Sequence, residues 1–171
     1  VKNTFAIMSI FKEIEYIYLN ISRPVQNLPS NDNTEEIKYH LKNYIIRISS
    51  LQDLAKNLIS NTFRLGISEK KCTTELLIDN EFTKKTRAVE ILKKLRIVTN
   101  DFHEQRNKIV HLGEFEDERI ELVALLNYHK YVSTKQKYDI ENINVLIKNN
   151  LKAIASSILQ ESNRLKSIFE S

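Results

Sequence analysis

Apolar residues recur at intervals of three and four along almost the whole chain, and the residues that would interrupt such a rhythm are scarce. There are two glycines and two prolines in 171 positions. Alternation with a period of two is nearly absent, so the pattern predicts an all-α protein, an up-down bundle of four to five helices. The length suits one compact domain spanning residues 1–171 and is short for two. No uncharged apolar run is long enough to span a membrane, and Lys12, Glu13 and Glu15 break the apolar N-terminal stretch, which reads as a helix and not a signal peptide. Cys72 is the sole cysteine, which excludes an internal disulfide framework and fits a reducing, cytoplasmic setting; a small, semi-buried hydrophobe is its expected role.

The periodicity divides the chain as follows. A first helix covers about Asn3 to Ser22, with Ile7, Phe11, Ile14, Tyr18 and Ile21 on one face, and is expected to end before Pro24. The loop RPVQNLPSNDN follows, and Asn33 with Glu36 resembles a capping box opening a second helix. That helix carries Ile37, Leu41, Tyr44, Ile48, Leu51, Ala55, Leu58 and Leu65, with Gly66 as its expected left-handed terminator. Residues 67–81 read as an irregular connection with one helical turn. A third helix is expected from about Glu81 to Leu112, closed by Gly113. A fourth runs from Asp117 to Thr134 with Ile120, Leu122, Leu126 and His129 in register. The fifth, Asp139 to Phe169, has Ile143, Ile147, Leu151, Ile154, Ile158 and Leu165 on its stripe.

Chemistry concentrates on the third helix. Arg96, Asn100, His103, Asn107 and His111 follow one another at spacings of 4, 3, 4 and 4, forming a polar stripe. Arg106 falls instead in the apolar arc with Ala88, Leu95, Phe102 and Val110, where a guanidinium must be paired, lie at an interface or bind an anion. Asn107 and His111 stand one turn apart, so the amide is placed to hydrogen-bond the imidazole. On an ideal α-helix Arg106 and His111 are about 140° apart, which favours a site shared across a helix end or between two subunits. RNA cleavage through the 2′-hydroxyl needs a base, an acid for the leaving 5′-oxygen and a cation for the charge gathering on phosphorus. Histidine exchanges protons near neutrality, and arginine offers a planar fork to two phosphate oxygens. No metal or other cofactor is required.

The segment RNKIVH, Arg106 to His111, resembles the R-x-x-x-x-H signature of the HEPN superfamily (higher eukaryotes and prokaryotes nucleotide-binding), set as there within an all-helical domain. The resemblance implies a metal-independent endoribonuclease, a homodimer whose paired motifs form one cleft, of the kind found in toxin-antitoxin, abortive-infection and other antiviral systems. It implies His111 as acid and base, Arg106 as the phosphate and transition-state ligand, and Asn107 as the residue that orients them. RNA and a cognate antitoxin or inhibitor protein are the implied partners. Gly113 stands where toxins of the HEPN and nucleotidyltransferase pairs carry a tyrosine, so an antitoxin that modifies that tyrosine would find no target.

Around the motif, Lys93, Arg96, Asn100 and His103 could extend an RNA track, although a solvated helix face is the better account of the basic runs KKTR and KKLR. The net charge of +4 permits a polyanionic partner without requiring one. His103 and His111 lack a third ligand at suitable spacing for a metal site. Glu114, Glu116, Asp117 and Glu118 read as charges serving the N-terminus of the following helix. The alternative to a nuclease is a non-catalytic helical binding or adaptor module, with Arg106 paired to a carboxylate across a dimer.

Overall fold

The computed structural model describes residues 2–26, 33–132 and 137–170, and among them every regular element is helical. Six α-helices follow one another: α1 (Lys2–Gln26), α2 (Asn33–Thr62), α3 (Thr74–Asp79), α4 (Arg87–Asn107), α5 (Glu118–Val132) and α6 (Lys137–Glu170). A short 3₁₀ turn, Glu69–Lys71, precedes α3, and a π-helical turn, Lys108–Leu112, extends α4. Four long helices make the bundle: α1 lies against α2 and α6, α4 lies mainly against α2, and α5 covers one end of α6.

The expected stripes build most of the core, and on α4 the buried face is Val89, Leu92, Leu95 and Val98, with Ile91, Phe102 and Ile109 only half-buried. Ile14 and Ile21 of α1, Ile37, Ile48 and Leu51 of α2, Leu92 and Leu95 of α4, and Ile147, Leu151, Ile154 and Ile158 of α6 are fully buried in one continuous cluster. Each such side chain removed from water contributes roughly 1.5–3 kcal/mol. Edge-on ring pairs add directional contacts at the rim, Phe11 with Phe169 and Tyr44 with Phe102, the latter joining α2 to α4 at 5.9 Å between centroids. Cys72 is buried as expected, its thiol directed at the Lys56 carbonyl, and burial raises its pKa, so it is poorly suited to act as a thiolate.

Several boundaries differ from the periodic reading. The first helix continues past Pro24 to Gln26; a proline deletes one ladder bond, and in the last turn the earlier turns already hold the helix through Ile14, Ile17 and Ile21. Asn33 does open α2, but its side chain, with most of the preceding loop and the expected end at Thr134, lies outside the described residues. The start of the third long helix moves from Glu81 to Arg87. A fully buried Thr83 is the cause: its hydroxyl donates to the Leu77 carbonyl, the Phe82 N–H donates to Asn80 Oδ1 at 2.9 Å, and the Thr86 hydroxyl donates to the Thr83 carbonyl at 2.6 Å. Side-chain bonds of this local kind outcompete the helix ladder. On α5 the buried face is Ile120, Val123 and Asn127, while Leu122 is 41% exposed and His129 is exposed, one step round from the expected stripe.

Helix α2 also ends in an unexpected way. Arg64, not Gly66, is the residue that closes it, at φ 51°, with the Leu65 N–H donating to the Ser60 carbonyl at 3.0 Å and the Arg64 N–H donating to the Asn61 carbonyl at 3.2 Å. These are the paired bonds of a Schellman cap. Gly66 is left-handed too, at φ 67°. Because a side chain is strained in the left-handed region, Arg64→Gly should stabilise the fold by about 1 kcal/mol. A rise in the urea midpoint with an unchanged m-value is the expected readout; a fall would mean that the Arg64 side chain makes a compensating contact.

Candidate active site at the end of the fourth helix

The α-helical ladder of α4 stops at Asn107, and the next turn, Lys108–Leu112, is π-helical, closed by Gly113 in the left-handed conformation at φ 71°. In an α-helix residues five apart differ by about 140°, and a turn bonded i→i+5, being wound less tightly, narrows that angle. Three of the five steps from Arg106 to His111 fall inside the π turn. The angle between the two positions is therefore narrower than on an ideal α-helix, a feature the ideal-helix reading missed. Single π turns concentrate at functional sites because they cost ladder geometry and persist for a reason.

Arg106 is half-buried, and Asn107 and His111 are exposed. The Arg106 guanidinium donates to Asn107 Oδ1 at 3.3 Å. Among the described residues Arg106 has no carboxylate partner, and no side-chain bond restrains His111. The hydrogen bond expected between Asn107 and His111 is replaced by the one from Arg106, because these residues are adjacent and the guanidinium reaches further. The motif is thus an unneutralised cation beside an accessible imidazole. Val110 and Leu112, which flank His111, are 50% and 65% exposed.

The rest of the polar stripe divides. Lys93 and Asn100 are exposed, as an RNA track requires. Arg96 turns to α3, where it pairs with Glu75 at 2.7 Å on the surface; such a bond is weak and exchangeable. His103 turns inward. Its Nε2 lies 2.8 Å from Gln52 Oε1 on α2, and the Thr99 hydroxyl donates to the same oxygen at 3.2 Å. The Gln52 amide nitrogen in turn donates to Thr74 Oγ1 at 2.9 Å. That last bond orients the amide, so its oxygen is the acceptor and the ring hydrogen sits on Nε2. Gln52 joins three helices and was not singled out by its sequence context.

Burial lowers the pKa of His103, the charges of Lys56 and Arg106 lower it further, and Asp53 opposes them. Burial likewise lowers that of His40, against Glu36. In both cases the unfolded chain binds the proton more readily, so this contribution is complete above the ordinary value of 6.5 and is lost as pH falls through it toward the folded pKa. Urea midpoints should therefore drop between about pH 8 and about pH 5, and His103→Asn should flatten part of that slope. A slope unchanged by His103→Asn would remove His103 as a contributor.

On another side of the α4 end, a cleft of about 480 Å³ opens between α2, α4 and α6 and the segment that follows Gly113. Gln105 and Lys108 line it; Arg106, Asn107 and His111 do not. Asp117 at its edge accepts the Arg119 backbone N–H at 3.0 Å and pairs with the Arg119 guanidinium, which caps α5 as the acidic segment was expected to do. Burial would raise the Asp117 carboxyl, but the Arg119 bonds and charge outweigh it and hold the pKa below its usual value. No group of three or more metal-ligating side chains occurs among the described residues, and no helix among them is long and apolar enough to cross a membrane.

Comparison with known proteins places these features. The chain is 29% identical over 141 residues to the dynein heavy chain-like protein 2 of Plasmodium falciparum (isolate 3D7), a match that takes in 77% of this chain but 2% of that protein's length. So small a share carries no argument about activity. No solved structure matches. The family model for Cthe2314-like HEPN matches residues 7–169, nearly the whole bundle with the α4 motif inside it. By that match, over an all-helical bundle, the chain belongs to the HEPN family.

Proposed function

We propose that the protein is a metal-independent endoribonuclease. A nuclease-type function is what HEPN membership suggests, and the observation that supports the finer reading is an unneutralised Arg106 followed, across a π turn that narrows the angle between them, by an exposed His111. His111 takes the proton from the 2′-hydroxyl, the 2′-oxygen attacks phosphorus, and the bond to the 5′-oxygen breaks as that oxygen is protonated. The products are a 2′,3′-cyclic phosphate and a 5′-hydroxyl. Arg106 binds the non-bridging oxygens as charge grows on them, and Asn107 fixes the guanidinium through its side-chain oxygen.

Acid and base duties at one phosphate are most simply divided between two imidazoles, one from each subunit of a homodimer. The exposed Val110 and Leu112 beside His111 supply apolar surface for such an interface. Lys93 and Asn100 would carry the RNA strand along α4, with Arg96 joining once released from Glu75 and His103 held back by Gln52. A cytoplasmic defence role, as a toxin or abortive-infection effector held in check by an inhibitor protein, is consistent with such an activity. The test is incubation of the purified protein with RNA in EDTA, comparing the wild type with His111→Ala and Arg106→Ala and identifying the cyclic phosphate end.

A further inference from the structure

Tyr44 lines the cleft behind α4 and is only 5% exposed, yet its hydroxyl has no hydrogen-bond partner. A buried hydroxyl without a partner forfeits its hydration for nothing in return. Burial, and after it the Glu161 carboxylate, push its pKa up, so the phenol keeps its proton and lies within electrostatic reach of another residue lining the cleft. Phe102, Phe115 and Ile158 give the cleft apolar wall, and charged residues of the segment after Gly113 line the rest.

The charge of the cleft is lopsided. Of its two cations, Arg119 is committed to Asp117 at 2.6 Å, and Lys108 keeps only a long, exposed contact with Glu104 at 3.6 Å, against the four carboxylates Glu114, Glu116, Asp117 and Glu161. Glu161 has only a long contact with Arg164, at 3.9 Å, and among the described residues Glu114 and Glu116 have no ion-pair partner. Lys42 of α2 rests its ammonium over the Phe115 ring, 5.9 Å from the centroid, an intramolecular cation–π contact of the kind this ring can make. Aromatic faces, surplus carboxylate and an unused hydroxyl are together the chemistry of an organic-cation site.

We propose that this cleft binds a guanidinium or alkylammonium group carried on an apolar stem, with Glu161 as the charge partner, Tyr44 Oη as an acceptor and the Phe102 and Phe115 rings against the stem. An arginine side chain of a peptide and a free polyamine share that chemistry. The site stands apart from the nuclease reading, since none of Arg106, Asn107 and His111 lines it.

Calorimetric titration and amide chemical shifts of the intact chain test this with N-acetyl-arginine amide, its neutral isostere N-acetyl-citrulline amide, and spermidine. Saturable binding of a cation, at least about tenfold tighter than the citrulline compound, is expected, with shifts confined to the α2 wall around Tyr44, residues 102–119 and the α6 wall. Response to the arginine compound alone assigns a peptide source, and response to spermidine alone a free amine. Glu161→Gln should weaken binding by about tenfold. Tyr44→Phe should weaken it while leaving the melting temperature unchanged or raised, because the lost hydroxyl had no partner to lose. Equal binding of the charged and neutral compounds, no saturable binding of either cation, or full affinity in Tyr44→Phe and Glu161→Gln together would overturn the proposal.

Discussion

His111→Ala and Arg106→Ala should each reduce RNA cleavage in EDTA by about a thousandfold while leaving the helical content and melting temperature close to those of the wild type. The stability half of that expectation follows from position. His111 is exposed and makes no side-chain bond among the described residues, and Arg106 gives up only one long contact to Asn107. Loss of activity without loss of stability separates a catalytic pair from a structural one. Arg106→Lys is the sharper variant, because it keeps the charge but not the fork; it should recover a small part of the rate if the guanidinium grips two phosphate oxygens. Marked destabilisation by Arg106→Ala, with RNA intact in the wild type, would point instead to an adaptor in which Arg106 answers a carboxylate of another subunit.

The residues of the candidate motif were legible in the sequence, but the π turn between Arg106 and His111 was not. Spacing alone sets Arg106 and His111 on different sides of an α-helix, and nothing in KIVHL marks a turn one residue wider than its neighbours. Such a turn is decided by which backbone groups pair, together with the left-handed exit at Gly113, and side-chain types encode that only weakly. The fold was more accessible, because a stripe such as Ile147, Leu151, Ile154 and Ile158 states its buried face directly. Periodicity failed where a polar side chain took over. Thr83 closes a turn in place of a helix start, Arg64 takes a cap position that Gly66 seemed made for, and the polar stripe loses His103 to Gln52, 51 residues away along the chain. Pairings that distant are set by how α2 and α4 dock, so a one-helix projection cannot contain them.

Gln52 offers the second large effect. Gln52→Ala should cost about 3 kcal/mol, since it leaves Thr74, Thr99 and His103 without their shared partner in a region where Thr74 and Thr99 are fully or nearly fully buried. Gln52→Glu makes the more telling variant. It keeps the shape and the acceptor at Oε1, turns the amide donor that faces Thr74 into an acceptor for the Thr74 hydroxyl, and sets a carboxylate against the imidazole of His103, and an adjacent opposite charge favours the protonated ring. The His103 pKa, lowered in the wild type, would then be raised. Stability from this pair would be complete below the ordinary histidine value and lost as pH rises through the new folded one, the reverse of the wild-type slope. A protonated His103 would also repel Arg106, whose charge already acts on it, so cleavage by Gln52→Glu should fall most at acidic pH. Equilibrium unfolding across the acid-to-neutral range, wild type beside Gln52→Glu, measures the reversal; parallel slopes would mean that the network does not govern His103, and that the link from α2 to the motif is packing alone.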